Sequence, residues 1–391
     1  MNPQAERCDV AVAGAGTAGI VAALAAARGG ARVVLVESAQ RAGGVASRGL
    51  HRFVCGLFRS GGERPGEPLH GPATMAFCRR LAGGDPEQLA VRRGRVWLLP
   101  FAGGEAWTAC AEQEIANEKN VRLICGDPVV RTDRDGDRIA EIGLRSGHAI
   151  RAEMVLDCTG SAAVCQLDGA QVDRPARPAL AGYGFEVAEA DATKAGPMGL
   201  ALAVPYLLRQ AVDAGKLAAH LAYTTWEPAP RPGQGWVKLA LPPDFASRAR
   251  AEADAVWGLL KTTPAFAQAR VLRHLPATLA RETGHLRGEY VLTQDDVLSA
   301  RDFPDAVVRN AWPIERWEDG RGVEYRYLPA GQAHGIPWRC LVPLGGAANL
   351  FCAGAAISAD SAAAASIRVM GVCMALGEAA ANRCLARIHR L

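Results

Sequence analysis

The run Val10-Ala-Val-Ala13, followed at once by Gly14-Ala15-Gly16-Thr17-Ala18-Gly19, constrains this chain more than any other stretch. An alanine-rich segment of helical length comes next, then a second apolar run, Val33-Val34-Leu35-Val36, that stops on Glu37. The order reads as strand, glycine turn, helix, strand, acid. Gly14 allows a tight turn, Gly16 lets backbone approach a pyrophosphate, and Gly19 lets the helix lie close on the strand. The helix that opens at Thr17 and Ala18 turns unpaired N–H groups and a partial positive charge toward phosphate. Glu37 stands where a carboxylate accepts from both hydroxyls of an adenosine ribose. A lone GxGxxG carries little weight. Here strand, helix, acid and spacing agree, and the segment reads as a dinucleotide cradle.

The next question is which dinucleotide. After Glu37 the chain continues Ser38-Ala-Gln-Arg41-Ala-Gly43-Gly44-Val45-Ala46-Ser47. NAD does not need a second glycine pair so soon after the ribose acid; a flavin does, because its ribityl chain passes close to backbone. Ser38, Arg41 and Val45 to Ser47 are therefore counted with the cradle. Met154-Val-Leu-Asp157-Cys-Thr159-Gly160 reads as a late strand ending at a small-residue turn. Asn349-Leu-Phe-Cys-Ala-Gly354 reads as a further strand, followed by Ile357-Ser-Ala-Asp360 and one long alanine-rich helix to about Ala381. This return of the chain offers Gly354 and Asp360 to the ribityl chain. The helix around Ser366–Met374 offers Ser366, Val369 and Met370 at the N1/C2=O edge, where a helix N-terminus stabilises reduced anionic flavin. Val129, which opens a small antiparallel set, is also counted among the cofactor residues.

These segments carry a resemblance. Ile336-Pro-Trp-Arg339-Cys-Leu-Val-Pro343, the Asn349–Gly354 strand, Ile357-Ser-Ala359, Ser366-Ile-Arg368-Val-Met370 and Cys373-Met-Ala-Leu-Gly377-Glu resemble the C-terminal pattern of a bacterial family of FAD-dependent oxidoreductases. That family is related to the fumarate reductase and succinate dehydrogenase flavoproteins. Arg281-Glu-Thr, Gly288-Glu-Tyr290, Phe303-Pro-Asp305, Tyr327-Leu-Pro329 and Gly331 resemble it as well, whereas 166–280 carries little of it. The chain departs from the family pattern at Ala355, Ala356, Ser361, Ala362 and Gly371, where relatives hold polar residues or proline. The resemblance implies FAD, an α/β Rossmann-like FAD-binding domain of the GR2 type (a central parallel sheet plus a small antiparallel sheet) and an inserted α+β substrate domain. It implies hydride transfer between flavin N5 and a small organic substrate at a C–C, C–O or C–N bond.

The expected layout is FAD-binding residues 1–58, a loop or cap at 59–104, FAD-binding residues 105–165, a substrate domain at 166–339 and a closing FAD-binding segment at 340–391. Thr108–Asn120 reads as a helix and Val121–Cys125 as a strand. Val129–Thr132, Ile139–Arg145 and His148–Ala152 read as the antiparallel set, with Ser146-Gly147 as a hairpin signal. Tyr183–Val187 and Trp236–Leu241 read as strands of the substrate domain.

A flavin supplies its own redox centre, so the protein orients substrate and tunes charge. In related flavoproteins the stretch after the second glycine pair runs beneath the ring, and some hold a histidine there covalently. His51 and Cys55 occupy that stretch. The context Arg48-Gly-Leu-His51-Arg52 does not reproduce that of the covalent relatives, so the FAD is expected to be non-covalent, with His51 beside it. Arg281, Tyr290, His334 and Arg339 are the second-half candidates for holding a carboxylate or moving a proton. His285, Tyr325 and Tyr327 belong to the same set. Each also has a plain structural reading, such as an ion pair with a nearby acid.

Composition excludes several classes. A net charge of +4 with no basic block gives no footprint for nucleic acid, which disfavours a flavin enzyme acting on tRNA. The eleven cysteines are scattered singly, with no CxxC or His/Cys metal spacing, so no metal is expected. Their placement in apolar runs fits reduced thiols in the cytoplasm. No apolar run is long enough to span a bilayer, and the polar N-terminal residues do not read as a signal peptide. The electron donor or acceptor and the oligomeric state are left open. Two other readings stand beside the leading one. A non-catalytic flavin-fold scaffold would hold FAD that never bleaches, and an NAD(P)-only dehydrogenase would be colourless.

Overall fold

The computed structural model describes residues 5–229 and 231–389. Strand β1 (Glu6–Ala13) leads through the glycine turn into helix α1 (Thr17–Arg28), which returns the chain to strand β2 (Val33–Glu37), parallel to β1. β2 is buried along its whole length, which is why it reads as an unbroken apolar run rather than an alternating one. Helix α2 (Gly104–Asn117) and strand β3 (Val121–Cys125) add the next parallel neighbour, in register with β2 from Val33 to Glu37.

Strands β4 (Val129–Asp135), β5 (Arg138–Leu144) and β6 (Ala149–Asp157) follow, with turns at Gly136 and Gly147. The sequence suggests two strands at 148–152 and 154–157; the structure makes them one. The start of β6 pairs antiparallel with β5, and its length pairs parallel with β1, Glu6 opposite Ile150 and Ala13 opposite Asp157. Glu153, which interrupts the apolar run, is exposed beside Arg138 and leaves the strand intact. Parallel and antiparallel parts therefore form a single sheet, in the order β3-β2-β1-β6-β5-β4.

A second layer begins at β7 (Ala181–Ala188). With helix α3 (Gly199–Asp213), strands β8 (Thr225–Pro228) and β9 (Gly235–Leu241), helix α4 (Ala249–Lys261) and strand β10 (Arg270–His274) it makes an antiparallel sheet in the order β8-β9-β7-β10. Strand alternation sorts its two faces. Phe185, Val187, Val237, Leu239 and Leu241 pack with Val204 and Leu208 of α3 and Val256 and Leu260 of α4 into a core of their own. Gly182, Gly184 and Lys238 lie on the other face, toward the nucleotide-fold unit. A Cβ on Gly184 would come within 2.8 Å of the Leu50 side chain.

This second core closes at Leu275. Leu286, Leu292, Val297, Ile336 and Trp338 bury into the core of the first sheet instead. The separately packed unit is thus shorter than the expected 166–339, because apolar burial returns to the nucleotide fold soon after β10. Ile314 does the same at the start of a hairpin of β11 (Ile314–Glu318) and β12 (Gly322–Arg326). Strand β13 (Leu350–Cys352) then joins β6 in parallel, closing the first sheet.

The single long helix expected after Asp360 is instead two, α5 (Ser361–Ile367) and α6 (Met370–Ile388), bent 90° apart. Local propensity does not cause the break, since both sides are rich in alanine. Long-range hydrogen bonds do. Ser366 Oγ donates to Trp312 O at 2.6 Å and accepts from Asn310 Nδ2 at 2.8 Å. The Gly371 N–H donates to Cys55 O at 2.9 Å rather than to the preceding turn. Among the described residues no single helix is long and apolar enough to cross a membrane.

Candidate functional site

The glycine turn and Glu37 are joined by direct bonds. Gly14 N–H donates to Val36 O at 2.6 Å. Glu37, buried at the end of β2, accepts the Ala15 N–H on Oε2 at 2.8 Å and the Ala39 N–H on Oε1 at 2.8 Å. The Ser38 hydroxyl also donates to Oε1, at 3.2 Å. Each carboxylate oxygen keeps further acceptor capacity. The Gly43 N–H returns to Ala15 O at 2.7 Å, which brings the second glycine pair onto the first.

Gly16 faces Gly44. A Cβ on Gly44 would lie 2.8 Å from Gly16 Cα. A Cβ on Gly16 meets nothing closer than Gly44 Cα at 3.9 Å, and the Gly16 φ of −83° is one any residue adopts. Nothing in the protein itself requires glycine at 16. The clear space beside its backbone, at the N-terminus of α1, fits the pyrophosphate of a dinucleotide.

The remaining predicted cofactor residues surround or adjoin this cradle. Ser47 Oγ donates to Gly44 O at 2.9 Å, Ala46 is buried, and Val45 is largely exposed. Thr159 Oγ1 donates to Asp157 Oδ1 at 2.6 Å just before Gly160, at the end of β6 beside the glycine turn. Gly354 abuts Ala18, and Gly19 lies against Gly14 and Cys158. Val129 follows a loop whose Asp127 N–H donates to Glu37 O at 3.2 Å. Three others have protein partners. Arg41 is paired with Glu112 at 3.0 Å and Glu105 at 3.2 Å on α2. Asp360 caps α5 at Ala363 N–H, 2.7 Å, and also accepts from the Gln294 N–H at 2.8 Å. Ser366 is committed to the bend between α5 and α6. At that bend, Val369 and Met370 form the start of α6 against the Cys55–Gly56 segment.

A cationic cluster lies next to this segment. Burial, followed by the charges of Lys238, Arg281 and Arg368, pushes the His51 pKa down to about 3, so its imidazole is neutral. His51 makes no hydrogen bond to another described residue. Burial pushes the Cys55 thiol up to about 12, which keeps it protonated. Arg281 stacks over the Trp317 ring at 4.2 Å and donates to Leu180 O. Burial and then Arg368 pull it down to about 9. Arg368 donates to Glu315 O at 3.2 Å, and Lys238 pairs with Glu227. Burial and Glu315 push the Tyr325 phenol up. Arg281 and Arg368 also line a cavity of about 670 Å³ between α5 and β11.

Of the five proposed catalytic side chains, the structure brings His51 and Arg281 together. The other three do not join them. Tyr290 donates to Asp296 Oδ2 at 2.9 Å, and Arg339 pairs with Asp305 at 3.0 Å. His334 is fully buried, with Nδ1 on Gly335 O and Nε2 facing Asn310 Nδ2, both at 3.0 Å. Burial pushes it down to about 4. His285 pairs with Glu282 at 3.0 Å, and Tyr327 lies under Arg95. Sequence reasoning did not single out Lys238 or Arg368. The signal for each was a lone cation in an otherwise apolar strand or helix. Among the described residues no group of three His, Cys, Asp or Glu side chains is arranged to hold a metal ion.

The sequence profile of the family described as "FAD dependent oxidoreductase" matches residues 9–179 and 192–388. No curated protein matches the chain. Among solved structures, a geranylgeranyl bacteriochlorophyll reductase-like protein from Thermoplasma acidophilum is similar at 13% identity, over 99% of this chain and 80% of that one, with a TM-score of 0.51. The flavin-dependent brominase Bmp2 aligns at 13% identity over 98% of this chain and 80% of its own, also at 0.51. GidA of Aquifex aeolicus aligns at 12% identity over 98% of this chain and 64% of its own, again at 0.51. At such identities the likeness is one of fold.

Proposed function

The chain belongs to the FAD dependent oxidoreductase family, and from that premise we propose that it transfers hydride to or from a small organic substrate at a C–C, C–O or C–N bond. The observation that carries this reading is the clear space beside the Gly16 backbone at the start of α1, in a turn that Glu37 holds. Gly14, Gly16, Gly43 and Gly44 hold the pyrophosphate, and Glu37 the ribose. The Val369–Met370 start of α6 would hold the flavin ring, a role supported by the resemblance of 366–377 to the fumarate reductase-type flavoproteins. Bound FAD supplies a two-electron centre that takes or gives hydride at N5.

The chain's own residues then position the substrate. Gly184 of β7 carries the Leu50 side chain against it, next to His51 in sequence. His51, held neutral, offers one N–H and one lone pair to a bound molecule at every pH near neutrality. Arg281, Arg368 and Lys238 stabilise negative charge there. The cysteines, free among the described residues and mostly buried, support a reducing, cytoplasmic setting.

The test is the visible spectrum of the purified protein before and after acid precipitation, followed by anaerobic reduction. A yellow protein that releases its flavin on precipitation and bleaches with a reductant is expected. A colourless protein that takes up no FAD, or bound FAD that no reductant bleaches, would overturn the reading.

A further inference from the structure

We propose that the cavity between α5 and β11 is an organic-carboxylate site, with Arg281 and Arg368 as the pair of guanidinium groups that receives the carboxylate. This rests on the flavin reading above and names the substrate class for it. The cavity, about 670 Å³, has the size of a small-molecule site. Its charges can be followed one by one. Glu318 is neutralised by Arg316 at 2.9 Å and Arg321 at 3.6 Å. Glu282 is hydrogen-bonded to His285 at 3.0 Å and also accepts the Ala179 N–H at 3.2 Å. Arg177 and Asp319 are exposed at the rim.

That leaves Arg281 and Arg368, neither of which has an ion-pair partner among the described residues. Each donates only to a backbone carbonyl, of Leu180 and Glu315 respectively. The Glu315 carboxylate, which acts on Arg281, is itself engaged by the Trp317 indole N–H at 2.8 Å. Two guanidinium groups without an acid of their own thus line one cavity. Lys238 adds no net charge, because Glu227 answers it. Two half-buried like charges that line one cavity are unfavourable unless an anion completes the site. A carboxylate does so through paired N–H donors in the planar fork that arginine presents.

The remaining wall identifies the rest of the ligand. Ala364 and Ala365 present methyl groups from α5, and the Trp317 ring lies opposite under Arg281. These surfaces suit a hydrocarbon body, which inorganic phosphate lacks. Arg281 and Arg368 also act on His51, so a carboxylate held here lies next to the segment expected to run beneath the flavin.

The experiment is calorimetric and spectral titration of the holoprotein with benzoate, succinate and inorganic phosphate at constant ionic strength. Saturable binding of at least one carboxylate, with a shift of the flavin absorbance and weak or no phosphate binding, is expected. Arg368→Gln should weaken that binding at least about tenfold with FAD content unchanged, since each charged hydrogen bond lost exceeds the free energy of one decade. Arg281→Lys, which keeps the charge and loses the fork, should weaken it by a smaller factor. Absence of carboxylate binding to the parent protein, phosphate binding as tight as carboxylate binding, or parent-like affinity in both variants would overturn the proposal. So would loss of FAD from either folded variant, which would assign the arginines to the cofactor. A colourless parent that still binds carboxylate by calorimetry would defeat the flavin reading and leave the anion site standing.

Discussion

Gly16 and Gly44 stand opposite one another, yet only one of them is sterically held. A side chain on Gly44 would run into Gly16 Cα, at 2.8 Å, while a side chain on Gly16 points into open space. Gly16→Val should therefore fold and melt within a few degrees of the parent apoprotein, yet contain no FAD. Gly19→Ala is the contrast. Its Cβ would meet Gly14 O at 1.8 Å, and that variant should lose the fold itself. Flavin content and apoprotein melting curves of the two variants check this. A yellow Gly16→Val protein would remove the pyrophosphate from this gap.

Glu37→Ala removes acceptors from two backbone N–H groups, at Ala15 and Ala39, besides its proposed ribose contacts. Charge-assisted hydrogen bonds are worth about 1.5–3 kcal/mol each. The variant should lose stability without FAD and bind FAD more weakly as well. Denaturant unfolding of the apoprotein reports the first effect and FAD titration the second. An unchanged FAD affinity would separate Glu37 from the ribose.

Glu378 on α6 is buried and accepts the Ala73 N–H at 2.9 Å, the Thr74 N–H at 2.9 Å and the Thr74 hydroxyl at 2.7 Å. It caps a helix from a distant part of the chain, Pro72–Ala82. Glu378→Ala leaves these donors buried and unmet. The expected loss is about 3 kcal/mol or more, read from denaturant midpoints, with FAD content per folded molecule unchanged.

His334 gives a pH signature. Burial holds its folded pKa at about 4, below the ordinary histidine value of 6.5, so the native imidazole is neutral where the unfolded one takes a proton. The stability that this supports is complete above about pH 6.5 and declines as pH falls toward 4. The slope is about 1.4 kcal/mol per pH unit for one proton. His334→Gln keeps an acceptor for Asn310 and should flatten the stability curve by that slope between pH 6.5 and 4. Parallel curves for variant and parent would show that His334 titrates normally.

For His51, the expected flavin is non-covalent, so denaturing mass spectrometry should give the mass of the polypeptide alone. Because the imidazole stays neutral down to about pH 3, His51→Ala should slow flavin reduction by substrate without moving any inflection between pH 5 and 8. An inflection that disappears in the variant would make His51 a titrating acid or base.

What the sequence made legible was local. The cradle follows from Gly14 to Glu37 because a turn, a helix start and a strand end lie within a short span. Arg368 and Lys238 were not legible. Lys238 lies in an otherwise apolar strand, and its face is decided by pairing with β7 and β8, far away in sequence. Arg368 sits after a stretch of alanines that predicts a straight helix. Asn310 and Trp312 from one distant segment and Cys55 from another turn the chain there. Tyr290 and Arg339 looked as suitable as Arg281 by residue type. Asp296 is six residues from Tyr290, but Asp305 is 34 residues from Arg339, and only the fold decides which acid engages which side chain.

The antiparallel sheet from β7 to β10 keeps its apolar interior to itself. Its entry and exit are fastened to each other, Gly182 bridging Leu279 on either side of the same opening. A segment closed off in this way behaves as a cassette. Its loops and outer helices can be exchanged for those of another member with the dinucleotide half left whole. What has to be matched is the face toward the rest of the molecule, where Gly184 meets Leu50 and Trp236 lies under Arg52. The antiparallel unit and the dinucleotide half are thus separable inheritances in this protein, joined along one face of one strand pair.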